Sequence, residues 1–243
     1  MSQEYRLYGE LASWWSVMRP PEHYADEAQI YFALLQQAAD APIHSVLELG
    51  SGGGQLASQL PHHLEIILND ASAAMLEVSR SIHPGRRHVQ GRMQDLELGR
   101  TVDAILLHDA VMYLTRPEDL RTVLERMFFH CRPGGAILIV PDVVEETFEE
   151  FSTGGGQMAE DGRALQMLEW HWDPRPGDGT YQVDFAFLLR SPDGVVKSVH
   201  EQHTMALRSF QTYLKTIQDA GFQPVAVEDI LTLESPVFLA RRP

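Results

Sequence analysis

Four glycines occupy five consecutive positions, 50 to 54, directly behind the apolar run "HSVLEL". Such a cluster ends a strand rather than continuing a helix, and with side chains removed it lets the main chain approach whatever the turn faces. Around it one pattern repeats. "LEIILND", "RHVQGRM", "VDAILLH" and "GGAILIV" are short apolar runs, separated by "GGQLASQL", "ASAAMLEVSRSI" and "PEDLRTVLERMFFHC", which carry apolar residues at helical spacing. Continuously apolar strands alternating with amphipathic helices predict an α/β fold, a doubly wound, mostly parallel sheet with helices on both faces. Ligands of such sheets sit beyond the carboxyl ends of the strands, where the glycines fall.

The flanks read differently. "EHYADEAQIYFALLQQAAD", after Pro20 and Pro21, predicts a helix leading into the sheet. Past Pro141 the chain becomes polar and glycine-rich, and the Gly154 to Gly156 run reads as a mobile connection. "ALQMLEWHW", "TYQVDFAFLLR" and "VVKSVHEQHTMAL" alternate with period two and predict three antiparallel strands, the last two joined by "SPDG". "SFQTYLKTIQDAGF" predicts a helix closed by Gly221, and "QPVAVED" and "SPVFLARRP" return to the sheet. The expected organisation is one domain over 1–243: N-terminal cap helices (1–40), a cofactor-binding core (41–142), an antiparallel lid insertion (143–208) and the return to the sheet (209–243).

Bulk properties narrow the function. With 19 basic and 34 acidic residues the net charge is −15, so the long-range field repels nucleic acid. No apolar stretch reaches the length of a membrane helix and the N-terminus does not read as a signal peptide, so no membrane partner and a cytoplasmic location are expected. The single cysteine, Cys131, permits no internal disulfide and reads as a small core residue. His200 and His203 of "HEQH" would point to opposite faces of a strand, a poor chelate, so no metal is expected.

Two glycine fingerprints can be tested against the turn. A dinucleotide motif started at Gly50 meets Gln55 where its third glycine belongs, although a frame from Gly52 through Gly54 to Ala57 keeps a nicotinamide-dependent oxidoreductase open. A nucleotide phosphate loop needs a lysine that is missing here. Glu48-Leu49-Gly50-Ser51-Gly52-Gly53-Gly54, an acidic residue followed by glycines at alternate positions, resembles the first motif of class I S-adenosylmethionine-dependent methyltransferases.

That resemblance implies a Rossmann-like seven-stranded sheet and S-adenosylmethionine as cofactor. Small residues at Gly50, Ser51, Gly52 and Gly54 would admit its aminoacyl chain, and Glu48 would compensate its positive charge. Asp70, at the end of "LEIILND", would accept the ribose hydroxyls, with Ala71 beside it; a helix N-cap is the alternative for Asp70. By the same resemblance Met75 and Met93 would line the adenine, Gln94 or Asp95 would read its edge, and His108 would border the methionine part. Arg92 departs from the family, which has an acidic acceptor there.

Methyl transfer from a sulfonium is an in-line displacement that alignment and exclusion of water promote. The exit of the fourth strand, "HDAVMY", lacks the motif of enzymes that methylate nucleobase or glutamine amide nitrogens, which disfavours that subclass; the expected acceptor is a nitrogen or oxygen of a small molecule. His108 is the candidate general base, with a reference pKa near neutrality, and Asp109 would orient it or bind an amine. Tyr8, Trp14, Trp15, Tyr24, Tyr113, Trp170, His171 and Trp172 are candidate walls for the acceptor. "EHYADEA", "SAAMLEVSR" and "HEQH" resemble the branch that includes deoxyamino-sugar N,N-dimethyltransferases. A homodimer and a catalytically idle cofactor-binding module both stay open.

Overall fold

A computed structural model describes residues 5–226 and 235–243. Its main sheet has seven strands in the order β10-β11-β5-β4-β1-β2-β3. The parallel strands are β1 (Ser45–Leu49), β2 (Glu65–Asp70), β3 (Arg87–Gln90), β4 (Val102–His108) and β5 (Cys131–Val140). β11 (Phe238–Arg241) runs antiparallel to β5, and the two-residue β10 (Gln223–Pro224) pairs with it. Much of "QPVAVED" beyond Val225 lies outside the described residues.

Chain order reverses between β1 and its neighbour β4, so a crevice opens where β1 and β4 end. One sheet face packs Val46, Leu68, Leu106 and Leu138 beneath α2 (Ala25–Ala38), and the other packs Leu47, Ile67, Leu107 and Ile139 beneath α5 (Pro117–His130) and α6 (Phe210–Asp219). Alternate residues of buried strands thus supply both faces, the physical reason for unbroken apolar runs. α3 (Gln55–Gln59) is shorter than "GGQLASQL" suggests because Gly54, in the left-handed region, holds its N-cap. α4 (Ala73–Ile82) follows β2, and a short α1 (Trp15–Met18) precedes α2. Cys131 is fully buried and begins β5 three residues ahead of the expected "GGAILIV", with a register shift against β4.

The second sheet corrects the sequence reading. It has four strands, β6 (Phe151–Met158), β7 (Ala164–Trp172), β8 (Thr180–Arg190) and β9 (Val196–Ala206), all antiparallel. Gly154 to Gly156 lie within β6, paired with Leu168, Met167 and Gln166, and are not a loose connection. A Cβ on Gly156 would stand 2.1 Å from Gln166 Nε2, so glycine lets the longer β7 side chains lie across this edge strand. The inner face, with Leu165, Tyr181, Val183, Phe187 and Met205, joins the apolar cluster of the main sheet.

Candidate active site

Three left-handed glycines build the turn after β1: Gly50, Gly52 and Gly54 have φ of 63°, 54° and 79°. A Cβ on Gly50 would stand 2.2 Å from the Cβ of Ala110, so packing excludes any side chain there. Asp70 ties the turn to β2. Its Oδ2 accepts the Gly52 amide at 2.8 Å and its Oδ1 the Ser72 amide at 2.7 Å. Burial raises its pKa against these bonds. Ser72, not Asp70, caps α4, its hydroxyl accepting the Met75 amide at 3.1 Å. Each Asp70 oxygen keeps a lone pair for a further donor.

Polar atoms gather around this turn without partners. Glu48 Oε2, Ser51 Oγ and Gln55 Nε2 are buried and make no hydrogen bond. Burial lifts the Glu48 carboxyl to about 8, against the opposing charge of His108. A buried acceptor, a hydroxyl and an amide donor at one strand end can pair with a ligand carrying both an ammonium and a carboxylate. Trp15 lies over the turn, its Nε1 donating to Gln55 Oε1 at 2.9 Å.

The adenine candidates separate. Met93, half-buried on a 3-10 turn (Met93–Asp95), has its methyl 3.4 Å from the Cβ position of Gly50. Met75 is fully buried with its methyl 3.3 Å from the Cβ position of Gly52, so it supports the turn instead of lining a cleft. Gln94 binds Asp119, Arg92 reaches toward Asp95 and Asp119, and Ala71 is exposed.

His108 and Asp109, at the end of β4, form a close pair with His108 Nε2 2.8 Å from Asp109 Oδ1 and 3.9 Å from Glu27 Oε2. Burial works against the charged imidazole, yet Asp109, Glu27 and Asp142 overcome it and raise His108 to about 9. These neighbours favour the charged imidazole, the opposite of what the expected general base needs. Burial also opposes ionisation of Asp109, but His108 and a hydrogen bond from Asp142 hold it below the usual aspartate range. Burial and the neighbouring Asp109 push Asp142 well up, so it carries the proton between them. Asp109 and Asp142 expose surface although protein surrounds them, as at the wall of a recessed cleft. Tyr24 meets the His108 ring edge-on at 6.3 Å, and burial raises its hydroxyl pKa.

The second sheet covers this cleft from the other side. Inward-facing Glu169 receives Arg19 Nη2 at 3.1 Å, lies 3.3 Å from His171 Nε2 and sits close enough to add to the field on Asp142. His171 stacks on Phe151 at 4.1 Å. Trp170, expected as an acceptor wall, occupies the opposite parity of β7 and is 59% exposed on the outer face. Trp172 turns outward too, its Nε1 bonded to Asp184. His200 and His203 do fall on opposite faces, one exposed and one buried.

A buried aromatic chain completes the site. Tyr8 and Tyr113 share a hydroxyl–hydroxyl hydrogen bond of 2.5 Å, and the Tyr113 hydroxyl reaches His203 Nδ1 at 2.8 Å. Burial raises the Tyr8 pKa, with Asp70, Asp109 and Asp142 adding to it, which locates this hydroxyl between the glycine turn and the acidic cleft. Asp142, Glu27 and Glu169 escaped the sequence reading, and His203 was weighed there only as a metal ligand. Asp142 alone had a local signal, since it stands just past the end of β5 on the ligand edge.

Comparison with known proteins agrees with this geometry. Residues 46–135 match the family of methyltransferase domains. The chain is 24% identical over 179 residues, 73% of its length and 69% of the relative's, to dTDP-3-amino-3,6-dideoxy-alpha-D-glucopyranose N,N-dimethyltransferase of Streptomyces fradiae. It is 26% identical to the corresponding 3,4,6-trideoxy-sugar N,N-dimethyltransferase of Streptomyces venezuelae, over 63% of this chain and 64% of that one. Among solved structures, the sugar N-methyltransferase of a Streptoalloteichus species superposes with a TM-score of 0.82 at 21% identity, covering 100% of this chain and 95% of that one. An amino pentose methyltransferase of Micromonospora echinaspora, solved with S-adenosylmethionine bound, superposes at 0.74 with 25% identity, over 90% of this chain and 92% of that one.

Proposed function

Because this chain is a class I S-adenosylmethionine-dependent methyltransferase, we propose that it methylates the amino nitrogen of a small, sugar-sized acceptor seated under the second sheet. The observation that carries the nitrogen assignment is the cleft's acidity: Asp109, Glu27 and Glu169 converge there beside the protonated Asp142, against His108 and Arg19. Such a field favours an ammonium group over a phenol or a carboxylate. The amino-sugar substrates in the relatives' names support the same class.

When bound, the cofactor supplies an electrophilic methyl group on a sulfonium. Glu48 would take its ammonium, Ser51 and Gln55 its carboxylate, completing the three unpartnered atoms. Asp70 would take the ribose, and Met93 with Gln94 the adenine. Trp15 over the turn excludes water. Tyr8 and Tyr113 would hold the acceptor amine, with Tyr24 and His171 as walls. Asp109, fixed by the His108 cation, would hold the amine's charge as the substrate enters.

Calorimetry with S-adenosylhomocysteine tests the cofactor assignment, and mass spectrometry after incubation with S-adenosylmethionine and dTDP-3-amino-3,6-dideoxy-α-D-glucopyranose tests the acceptor. Binding followed by a mass gain on the amine is expected. Methylation confined to phenols or sugar hydroxyls would overturn the nitrogen reading.

A further inference from the structure

We infer that His203, through Tyr113 and Tyr8, is the transient acceptor of the proton that the acceptor ammonium gives up on methylation, a positioning residue in place of His108 as base. The inference rests on the amine-acceptor reading above. The hydrogen-bonded chain runs Tyr8 hydroxyl, Tyr113 hydroxyl at 2.5 Å and His203 Nδ1 at 2.8 Å; beyond it Glu201 Oε2 stands 3.3 Å from His203 Nε2, close in charge but outside hydrogen-bond geometry. His203 is fully buried, with the Tyr5 ring over it at 3.8 Å and Phe185 edge-on at 4.8 Å. Glu201 is fixed by accepting the backbone amides of Arg6 and Leu7, the latter at 2.9 Å.

This arrangement sets the direction of every proton. Glu201 has only acceptors when ionised, so the Nε2 facing it carries the hydrogen. Nδ1 is then an acceptor, Tyr113 donates to it, and Tyr8 donates to Tyr113. The Tyr8 oxygen keeps its lone pairs for a donor in the site, on the side of Asp70 and Asp109, whose charges reach it. Burial lowers the His203 pKa, against the pull of Glu201, so the imidazole rests neutral and holds a proton only in passing; burial also raises the pKa of both phenols, so neither tyrosine ionises on its own. Tyr5 also faces the imidazole, with its hydroxyl turned to the Thr204 amide.

An ammonium bonded to the Tyr8 oxygen therefore gives up one proton to that oxygen. In the same event the Tyr8 proton passes to Tyr113 and the Tyr113 proton to His203 Nδ1. The products are a neutral amine with a free lone pair and an imidazolium beside the Glu201 carboxylate, with atoms and charge conserved. His108, whose acidic neighbours already favour its charged form, is the poorer acceptor for that proton.

The test begins without cofactor or acceptor. ¹⁵N NMR of the histidine-labelled protein at pH 7–8, with His203 assigned by loss of its signals in His203→Gln, should show Nε2 protonated and Nδ1 bare. In Tyr113→Phe the Nδ1 resonance should move as its donor disappears. A protonated Nδ1 in the resting protein would overturn the inference even if amines are methylated. The second readout is kcat/KM for dTDP-3-amino-3,6-dideoxy-α-D-glucopyranose across pH. Both variants should lose roughly 10–100-fold below pH 8 and recover toward wild type at higher pH, where the amine arrives neutral. An equal loss at every pH would mean a structural role and overturn it. A bare Nδ1 with no methylated amine would instead sink the acceptor reading and leave the hydrogen-bond polarity standing.

Discussion

His108 Nε2 and Asp109 Oδ1 stand 2.8 Å apart, and the second partner reaches this position on a backbone held at φ 53°, unusual for a residue with a side chain. The Asp109 amide donates to Val140 at 2.9 Å, and its carbonyl accepts the Met112 amide at 2.9 Å, so both flanks enforce the conformation. Local strain of this kind costs about 1–3 kcal/mol and persists only where the surroundings over-determine it. Here it aims a carboxylate at a cation at the cleft wall.

Replacing His108 by Gln should therefore cost stability rather than abolish an acid limb in the rate profile. The folded-state pKa of about 9 lies above the ordinary value of 6.5, so its contribution is fully present below pH 6.5 and fades as pH rises through about 9. A loss on the order of 2–3 kcal/mol near pH 6 that shrinks above pH 9, read by denaturant melts, is expected. A mutant rate that no longer falls at low pH would return His108 to the role of base.

Glu48 carries the opposite linkage to its ligand. Its raised folded pKa of about 8 means that stability present below about pH 4.5 is lost as pH rises through 8. The ammonium of a bound aminoacyl chain favours the carboxylate, so S-adenosylhomocysteine should bind more tightly as pH rises from 6 to 8, with a proton released. Calorimetry in two buffers of different ionisation enthalpy measures that proton. Glu48→Gln should flatten the dependence, weaken binding at least tenfold and raise Tm above pH 8.

Asp70 has two duties that different substitutions separate. Asp70→Ala removes the acceptor of the Gly52 and Ser72 amides as well as the ribose contact, so both Tm and cofactor affinity should fall, the latter by about 1–3 kcal/mol. Asp70→Asn keeps one carbonyl for the turn and should restore most of the Tm while leaving affinity low. Equal recovery of both would show that Asp70 serves the turn alone.

Gly50 and Gly85 make a contrast within one chain. Gly50→Ala puts a Cβ 2.2 Å from Ala110 in a left-handed backbone and should cost about 2–4 kcal/mol together with the cofactor site. Gly85 has nothing within 4 Å of its Cβ position, so Gly85→Ala should leave melting and binding unchanged.

What was legible in the sequence was local. The glycine turn, Glu48 and Asp70 lie within one βαβ unit, where spacing along the chain fixes spacing in space. The helices and parallel strands followed from apolar periodicity for the same reason. The protonation of His108 was not legible, because it depends on Glu27 and Asp142, which packing alone brings to it. The edge strand β6 was hidden by its glycines, which remove the alternation that marks a strand. Parity could have separated Glu169 and His171 from Trp170, since neighbours on a strand cannot share a face. Nothing in "HEQH" announces that His203 meets a tyrosine ninety residues upstream, at position 113.

The N-terminal segment is stitched on both sides at once. Ser72 holds the Tyr8 carbonyl and Gln55 holds Trp15 on the cofactor side, while Glu201 holds the Arg6 and Leu7 amides and Arg163 holds the Ser13 carbonyl on the side of the second sheet. If exchange of spent cofactor lifts this segment, an acceptor held against Tyr8 as proposed would keep it down. A sugar that needs two methyl groups would therefore have to leave and come back between them: the enzyme would work distributively, releasing its half-finished product into solution.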